Sequence, residues 1–284
     1  MLRSVGSLLA LMGCAAVANA AEPPAKELFG AATRPAPSLG TDVIGSYARG
    51  CLAGGRALPI DGPAWQAMRL SRNRNWGHPV LIAFVERLAL GARDEGWPGL
   101  LVGDMAQPRG GPMLTGHASH QIGLDVDIWL TPMPDRRLSA EERESISAVS
   151  MLREGTRTVD GPRFTDAHVR LIRRAALDAA VERIFVHPGI KQALCDRAQG
   201  ERGWLGKVRP WWGHDAHFHV RLRCPPGERL CRDQEPPPPG DGCGADLAWW
   251  LTEEPWQPKP PAPPVPPLML ADLPPACAAV LRAR

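Results

Sequence analysis

The sequence predicts an α+β domain: a small central antiparallel sheet carrying a polar site, flanked by helices, with a proline-rich C-terminal segment tied back by disulfides. Three observations lead there. Leu124-Asp-Val-Asp-Ile-Trp-Leu130 and Ala216-His-Phe-His-Val-Arg-Leu222 alternate strictly between apolar and polar side chains, the period of a half-buried strand. Pro79 to Arg93, Ser139 to Arg153 and Thr165 to Ala180 instead carry helix signals. Cys243 and Cys277 stand in a segment dominated by proline, and an unstructured tail has no need of them.

Taken in chain order, residues 1–20 read as a secretory signal peptide. Met1-Leu-Arg3 supplies a positive charge, an apolar run reaches Leu11, and Ala18-Asn-Ala20 ends in a small-residue cleavage site. Leu11-Met-Gly-Cys14 also outlines a lipidation signal at Cys14. Residues 21–235 are expected as the main domain and 236–284 as the proline-rich segment. In the first helix, Leu81, Phe84, Val85, Leu88 and Leu90 recur at helical spacing behind Pro79, and Gly96, Pro98 and Gly99 end it. Leu100-Leu-Val102 follows as a short strand. Ser139-Ala-Glu-Glu142 is a capping box opening a helix to Arg153, and Thr165-Asp-Ala-His168 opens another through Ala180. Ile184-Phe-Val186 reads as a strand, and His187-Pro-Gly precedes a short helix ending near Cys195. Pro236–Pro239 and the prolines between 255 and 267 are expected to be extended, polyproline-like stretches.

Composition narrows the function. A net charge of +3 gives no support for nucleic-acid binding. The arginines at 69–74 and 221–223 are expected at a solvated surface or in local pairs. Beyond the signal, no stretch approaches the ~18 apolar residues of a spanning helix. Six cysteines remain after Cys14, with no CxxC pair among them. An even number behind a secretory signal implies disulfides, with 15 pairings open.

The chemistry concentrates in two clusters holding five of the eight histidines: His117 and His120, running to Asp127, and His214, His217 and His219. On each alternating strand one face is apolar and the other offers imidazole or carboxylate. Pairing the strands sets Asp127 beside His219, with His120 arriving from the preceding loop and Gly123 freeing the backbone to turn. Two His and one Asp with a position left open is the pattern of a catalytic zinc ion. Asp125 is expected either to hold a ligand imidazole from behind or to be exposed. Trp211 and Trp212 are expected to line a substrate cleft. His78, His168 and His187 are expected to be packed or surface residues.

These residues carry a resemblance. His120 to Asp127 resembles the H-x6-D motif of the lysostaphin, D-Ala-D-Ala metallopeptidase and hedgehog-type superfamily, and His217-Phe-His219 its H-x-H motif. Gly116 to Ile128 and Val208 to Pro225 are similar to penicillin-insensitive murein endopeptidases, with similarity extending from Gly45-Ser-Tyr-Ala-Arg-Gly-Cys51 to Gly240-Asp-Gly-Cys-Gly-Ala245 and Cys277. The resemblance implies that 21–235 is a zinc metallopeptidase domain working in the periplasm on peptidoglycan, cutting D-alanyl-meso-diaminopimelyl cross-links. It implies His120, Asp127 and His219 on Zn2+, with His217, or alternatively His214, as base or oxyanion stabiliser. It implies the bridges Cys51–Cys277, Cys195–Cys243 and Cys224–Cys231.

Two departures stand out. Where the dipeptidase branch has a glutamate base, this chain has Ala216. A second metal position in such endopeptidases uses the histidine before the first motif and a D-G-x-H segment. Here His117 is present, but the nearest segment is Glu154-Gly-Thr-Arg157, in which Glu154 is a possible ligand and Arg157 is not. No Ser-x-x-Lys motif occurs, so β-lactams have no serine to acylate. The rival readings are a D-Ala-D-Ala-type carboxypeptidase and a non-catalytic murein-binding protein. The sequence leaves room for a homodimer.

Overall fold

A computed structural model describes residues 22–36, 38–260 and 263–283. The signal peptide at 1–20 and the Cys14 lipidation signal lie outside the described residues. The helices are α1 (Ala25–Gly30), α2 (Pro79–Asp94), α3 (Ala140–Ser145), α4 (Asp166–Leu177), α5 (Pro188–Arg197), α6 (Ala245–Leu251) and α7 (Ala276–Arg282). A hairpin of β1 (Asp42–Ser46) and β2 (Arg49–Ala53) and a short pair of β3 (Arg56–Ala57) and β5 (Trp76–Gly77) accompany the main sheet. That sheet holds β4 (Trp65–Ala67), β6 (Leu100–Val102), β7 (Asp125–Trp129), β8 (Val181–Val186), β9 (Val208–Pro210) and β10 (His217–Leu222), in the order β4-β6-β7-β10-β8-β9.

The fold is α+β as expected, but the sheet is mixed. Its centre, β6-β7-β10-β8, is antiparallel, whereas the outer pairs β4-β6 and β8-β9 are parallel. Parallel neighbours need a crossover. Helix α2 lies between β4 and β6 in the chain, and α5 between β8 and β9. The edge strands β4 and β9 have three residues each, too few to show a period. The apolar face of the two alternating strands is core: Val126, Ile128, Phe218 and Val220 join one buried cluster with Leu81 and Phe84 of α2 and Leu171 and Ile172 of α4.

The three histidines outside the two clusters all serve helix starts. His78 Nδ1 accepts from Val80 N at 3.2 Å beside Pro79. His187 Nδ1 accepts from Gly189 N at 3.0 Å. His168 Nδ1 accepts from Thr165 N at 3.1 Å, while its Nε2 lies 3.0 Å from Leu130 O. The capping box at Ser139 forms, but α3 ends at Ser145 rather than Arg153. Ile146 turns out to pack with Met68, Leu101, Trp129 and Leu138. Met151 N then donates to Asp215 O at 2.8 Å, drawing the segment alongside the second histidine cluster. Helix α4 stops at Leu177 because Asp178 Oδ1 takes up Ala180 N at 2.9 Å and β8 starts at Val181.

The three expected bridges form; Cys51–Cys277 and Cys195–Cys243 hold the tail to the body, and Cys224–Cys231 closes a short loop ahead of it. Helices α6 and α7 interrupt its proline stretches. Trp212 Nε1 donates to Pro255 O at 3.0 Å on one side of the domain. On the other, Ala25 N donates to Leu268 O at 2.8 Å. Phe29, Ile44, Leu273 and Val280 bury a second apolar cluster around the Cys51–Cys277 bridge. Lys191 on α5 is fully buried, and its Nζ donates to Leu205 O (2.8 Å) and to Asp241 O of the tail (2.6 Å).

Closing so long a loop restrains the unfolded chain. Replacing Cys51 and Cys277 by serine is expected to lower stability by about 2–4 kcal/mol, read from urea midpoints under non-reducing conditions. An unchanged midpoint would mean that the second apolar cluster alone holds the tail. Burial first, then neighbouring Arg209, pushes the Lys191 pKa down to about 7. The unfolded chain keeps that proton to about pH 10.4. Between these values the unfolded state binds more protons, so this group's contribution to stability rises with pH. Lys191→Met is expected to flatten the rise between pH 7 and 9. The same rise in both proteins would exclude Lys191 as its source.

Candidate metal centre

The site grows from the β7-β10 register. His219 stands opposite Asp127, and Arg221 opposite Asp125, as the alternating faces predict. His120 enters from the loop before β7, where its own backbone is left-handed (φ +65°) and Gly123 turns the chain at φ +72°. A side chain at Gly123 would come within 3.0 Å of His78 N. That turn folds His120 back so that its N–H donates to Asp125 Oδ2 at 3.1 Å.

His120 Nε2 and His219 Nδ1 lie 3.4 and 3.2 Å from the same oxygen, Asp127 Oδ1. His117 Nε2 lies 3.4 Å from Asp127 Oδ2. His117, His120 and Asp127 present ligand atoms within 4.8 Å of one another. Both ring nitrogens of His120, together with Asp127 Oδ1, are buried without a hydrogen-bond partner. Orphaned buried polar atoms carry a desolvation penalty of about 1–3 kcal/mol each. Two of them, His120 Nε2 and Asp127 Oδ1, face each other at 3.4 Å, which fits a bound cation better than an empty core. Burial alone would raise the Asp127 pKa, but the electrostatic attraction of the surrounding histidine rings, His120 and His217 first, holds it well below the usual carboxylate range, so it is anionic as a ligand must be.

Asp125 supplies the backing. It is fully buried, and its Oδ1 accepts from Arg221 Nε at 2.7 Å and lies 2.8 Å from His219 Nε2. Of the two alternatives for Asp125, the structure shows the support and excludes exposure. Burial would raise its pKa, but Arg221 and His219 hold it down. The ionised carboxylate fixes His219 Nε2 as the protonated nitrogen and leaves Nδ1 free toward Asp127.

Two histidines line the rim. His214, also left-handed (φ +56°), directs Nδ1 to Trp212 O at 2.8 Å. A carbonyl only accepts, so Nδ1 carries the proton and Nε2 keeps a lone pair. Burial, then His217 and His219, push the His214 pKa down to about 4. The His217 ring is 4.9 Å from that of His214, its Nε2 is 3.8 Å from Asp127 Oδ1, and burial lowers its pKa too. Both are therefore neutral imidazoles near pH 7.

His117 joins the centre, whereas Glu154 does not. Glu154 sits exposed on a turn and is absent from the converging group. Its neighbour Arg157 bonds instead to Glu253 of the tail at 2.5 Å. Asp104 escapes sequence reasoning: its Oδ2 is 3.1 Å from His117 Nε2 and accepts from Arg74 at 2.9 Å. Its one signal is position, two residues past a predicted strand. The Arg69–Arg74 run thus contributes a partner to the site, and Arg221 is buried rather than surface.

Asp125→Asn keeps the shape but loses the charge. It is expected to weaken metal binding about 10–100-fold, measured by competition with a chromophoric chelator. Unchanged affinity would remove Asp125 from the ligand support.

The profile of the penicillin-insensitive murein endopeptidases matches residues 43–282. A penicillin-insensitive murein endopeptidase of Klebsiella pneumoniae subsp. pneumoniae is 45% identical over 238 residues, 84% of this chain and 85% of the relative. One from Haemophilus influenzae is 48% identical over 217 residues, 76% and 74% of the two chains. One from Salmonella heidelberg is 45% identical over 249 residues, 88% and 89%. With the profile spanning most of the chain and the buried His/Asp centre inside it, the chain belongs to the penicillin-insensitive murein endopeptidase family of peptidases.

Proposed function

We propose that the chain is a zinc-dependent endopeptidase of peptidoglycan that hydrolyses D-alanyl-meso-diaminopimelyl cross-links in the periplasm. Residues 1–20 act as its export signal, 21–235 as its peptidase domain and 236–284 as a disulfide-held tail. The observation that carries the reading is the convergence of His120, Asp127 and His219 around orphaned buried atoms, with two neutral imidazoles at the rim. The borderline-soft N,N,O donor set suits zinc. When bound, the ion polarises the scissile carbonyl and activates water.

The chain's own groups supply the rest. His214 presents a lone pair on Nε2, fixed by the Nδ1 contact to Trp212 O, and takes a proton from the attacking water. Ala216 offers no carboxylate for that task. His217, neutral and 28% exposed at its side chain, donates an N–H to the oxygen that gains charge. Asp125 holds His219 in one tautomer throughout. Three disulfides suit an oxidising compartment.

Chelation is expected to abolish loss of cross-linked dimers from purified sacculi, and zinc to restore it, read by muropeptide chromatography. Shortened monomers with dimers intact would mark a carboxypeptidase. His214→Ala is expected to lower kcat by about 10²–10⁴-fold at unchanged zinc content. Full activity in that variant would move the base elsewhere, and full activity after chelation would overturn the zinc reading.

A further inference from the structure

Beside the metal centre, a wall of aromatic rings runs outward from the rim. From His214 it steps 6.2 Å to Phe185, 5.9 Å on to Trp211 and 6.2 Å on to Trp250, between ring centroids. Trp212 packs edge-on to Trp250 at 4.4 Å and Trp249 to Trp250 at 5.1 Å. Two sources build the wall. Trp211 and Trp212 come from the loop after β9, whereas Trp249 and Trp250 come from α6 of the tail. The Cys195–Cys243 bridge anchors the tail just ahead of α6. The outer rings are open: Trp211 is 47% and Trp249 40% exposed.

Exposed tryptophans clustered beside a reaction centre mark a binding surface. Their flat apolar faces choose the occupant. A peptide stem of D-alanine, glutamate and diaminopimelate offers methyls and several carboxylates, and the negative face of an indole disfavours carboxylates. A pyranose ring offers a flat C–H face to stack, with hydroxyls left at its edge for polar groups. Such groups lie at the wall's margin, where Arg209 meets Asp246 at 3.4 Å and Lys259 Nζ sits 5.5 Å over Trp212. Distance agrees. A stem of about three residues spans roughly 10 Å at ~3.3–3.6 Å each, so the sugar attached to a cross-link held at His214 reaches the near end of the wall at Trp211, and the next sugars of the strand continue toward Trp250 and Trp249.

We infer that Trp211, Trp249 and Trp250 form a glycan-strand subsite, stacking the sugar backbone of the same polymer whose cross-link enters the metal centre. This rests on the peptidoglycan reading, and it makes the tail part of substrate recognition.

The test separates the two. Glycan strands stripped of their stems by an amidase are immobilised, and retention of the chelated, cleavage-dead full chain is measured. The wild type is expected to be retained, and Trp249→Ala and Trp211→Ala to lose retention about tenfold. Trp249→Phe, which keeps a ring, is expected to recover most of it, which shows that the loss is not a folding defect. In the zinc-loaded enzyme, the ratio of kcat/KM for disaccharide-bearing dimers to that for sugar-free dimers is expected to fall about tenfold in the alanine variants. Equal retention of wild type and alanine variants, or an equal fall on both dimers, overturns the subsite. Failure of the wild type to cut sugar-free dimers counts against the peptidase reading instead.

Discussion

Asp125 accepts from three directions at once: the guanidinium of Arg221, the ring of His219 and the backbone N–H of His120. Those contacts join the two strands and the loop that carry the candidate ligands. Without that carboxylate, His219 is free to turn either nitrogen to the metal position, and the left-handed backbone at His120 loses its hydrogen bond. The β7-β10 register brings the side chains near one another; Asp125 decides how they face.

A buried charge needs compensation, and the structure provides it in layers. Arg221 lies over the ring of Tyr47 at 4.2 Å and Phe185 at 5.2 Å, and Nη1 donates to Gln234 Oε1 at 2.7 Å. Tyr47 OH in turn donates to Leu222 O at 2.7 Å. The cation is thus held by aromatic faces and neutral acceptors, and its charge goes to Asp125. A similar arrangement supports His117, where Asp104 sits between the imidazole and the guanidiniums of Arg72 and Arg74. Phe185 links the two functions: one neighbour is Arg221 behind the metal centre, and another is Trp211 on the aromatic wall.

The parts legible in the sequence were those governed by local periodicity. Alternation in β7 and β10 yields the strands, their faces and the partnership of Asp127 with His219, because a strand's side chains must alternate. The parts not legible depend on contacts distant in the chain. Asp104 becomes a site residue because β6 pairs with β7, and a three-residue strand carries no period to announce its neighbour. The early end of α3 follows from Ile146 joining an apolar cluster drawn from four other segments. Trp249 and Trp250 reach the rim because Cys243 pairs with Cys195, and the spacing of six cysteines does not specify which pairs form. The reading of Glu154 as a ligand rests on resemblance alone, and the residue stands exposed on a turn outside the converging group.

The bridges impose an order on the protein's birth. Of the three, only Cys224–Cys231 joins cysteines that are neighbours in chain order. A polypeptide oxidised as it crosses a membrane meets Cys51 first and Cys195 next, whereas the native partner of Cys51 lies 226 residues away. A Cys51–Cys195 bond formed at that stage is non-native, and only thiol–disulfide exchange converts it to the native set. That step runs over seconds to hours, depending on the isomerase at hand. Where oxidation outruns folding, maturation therefore waits on that exchange, and the aromatic wall behind the Cys195–Cys243 bridge waits with it.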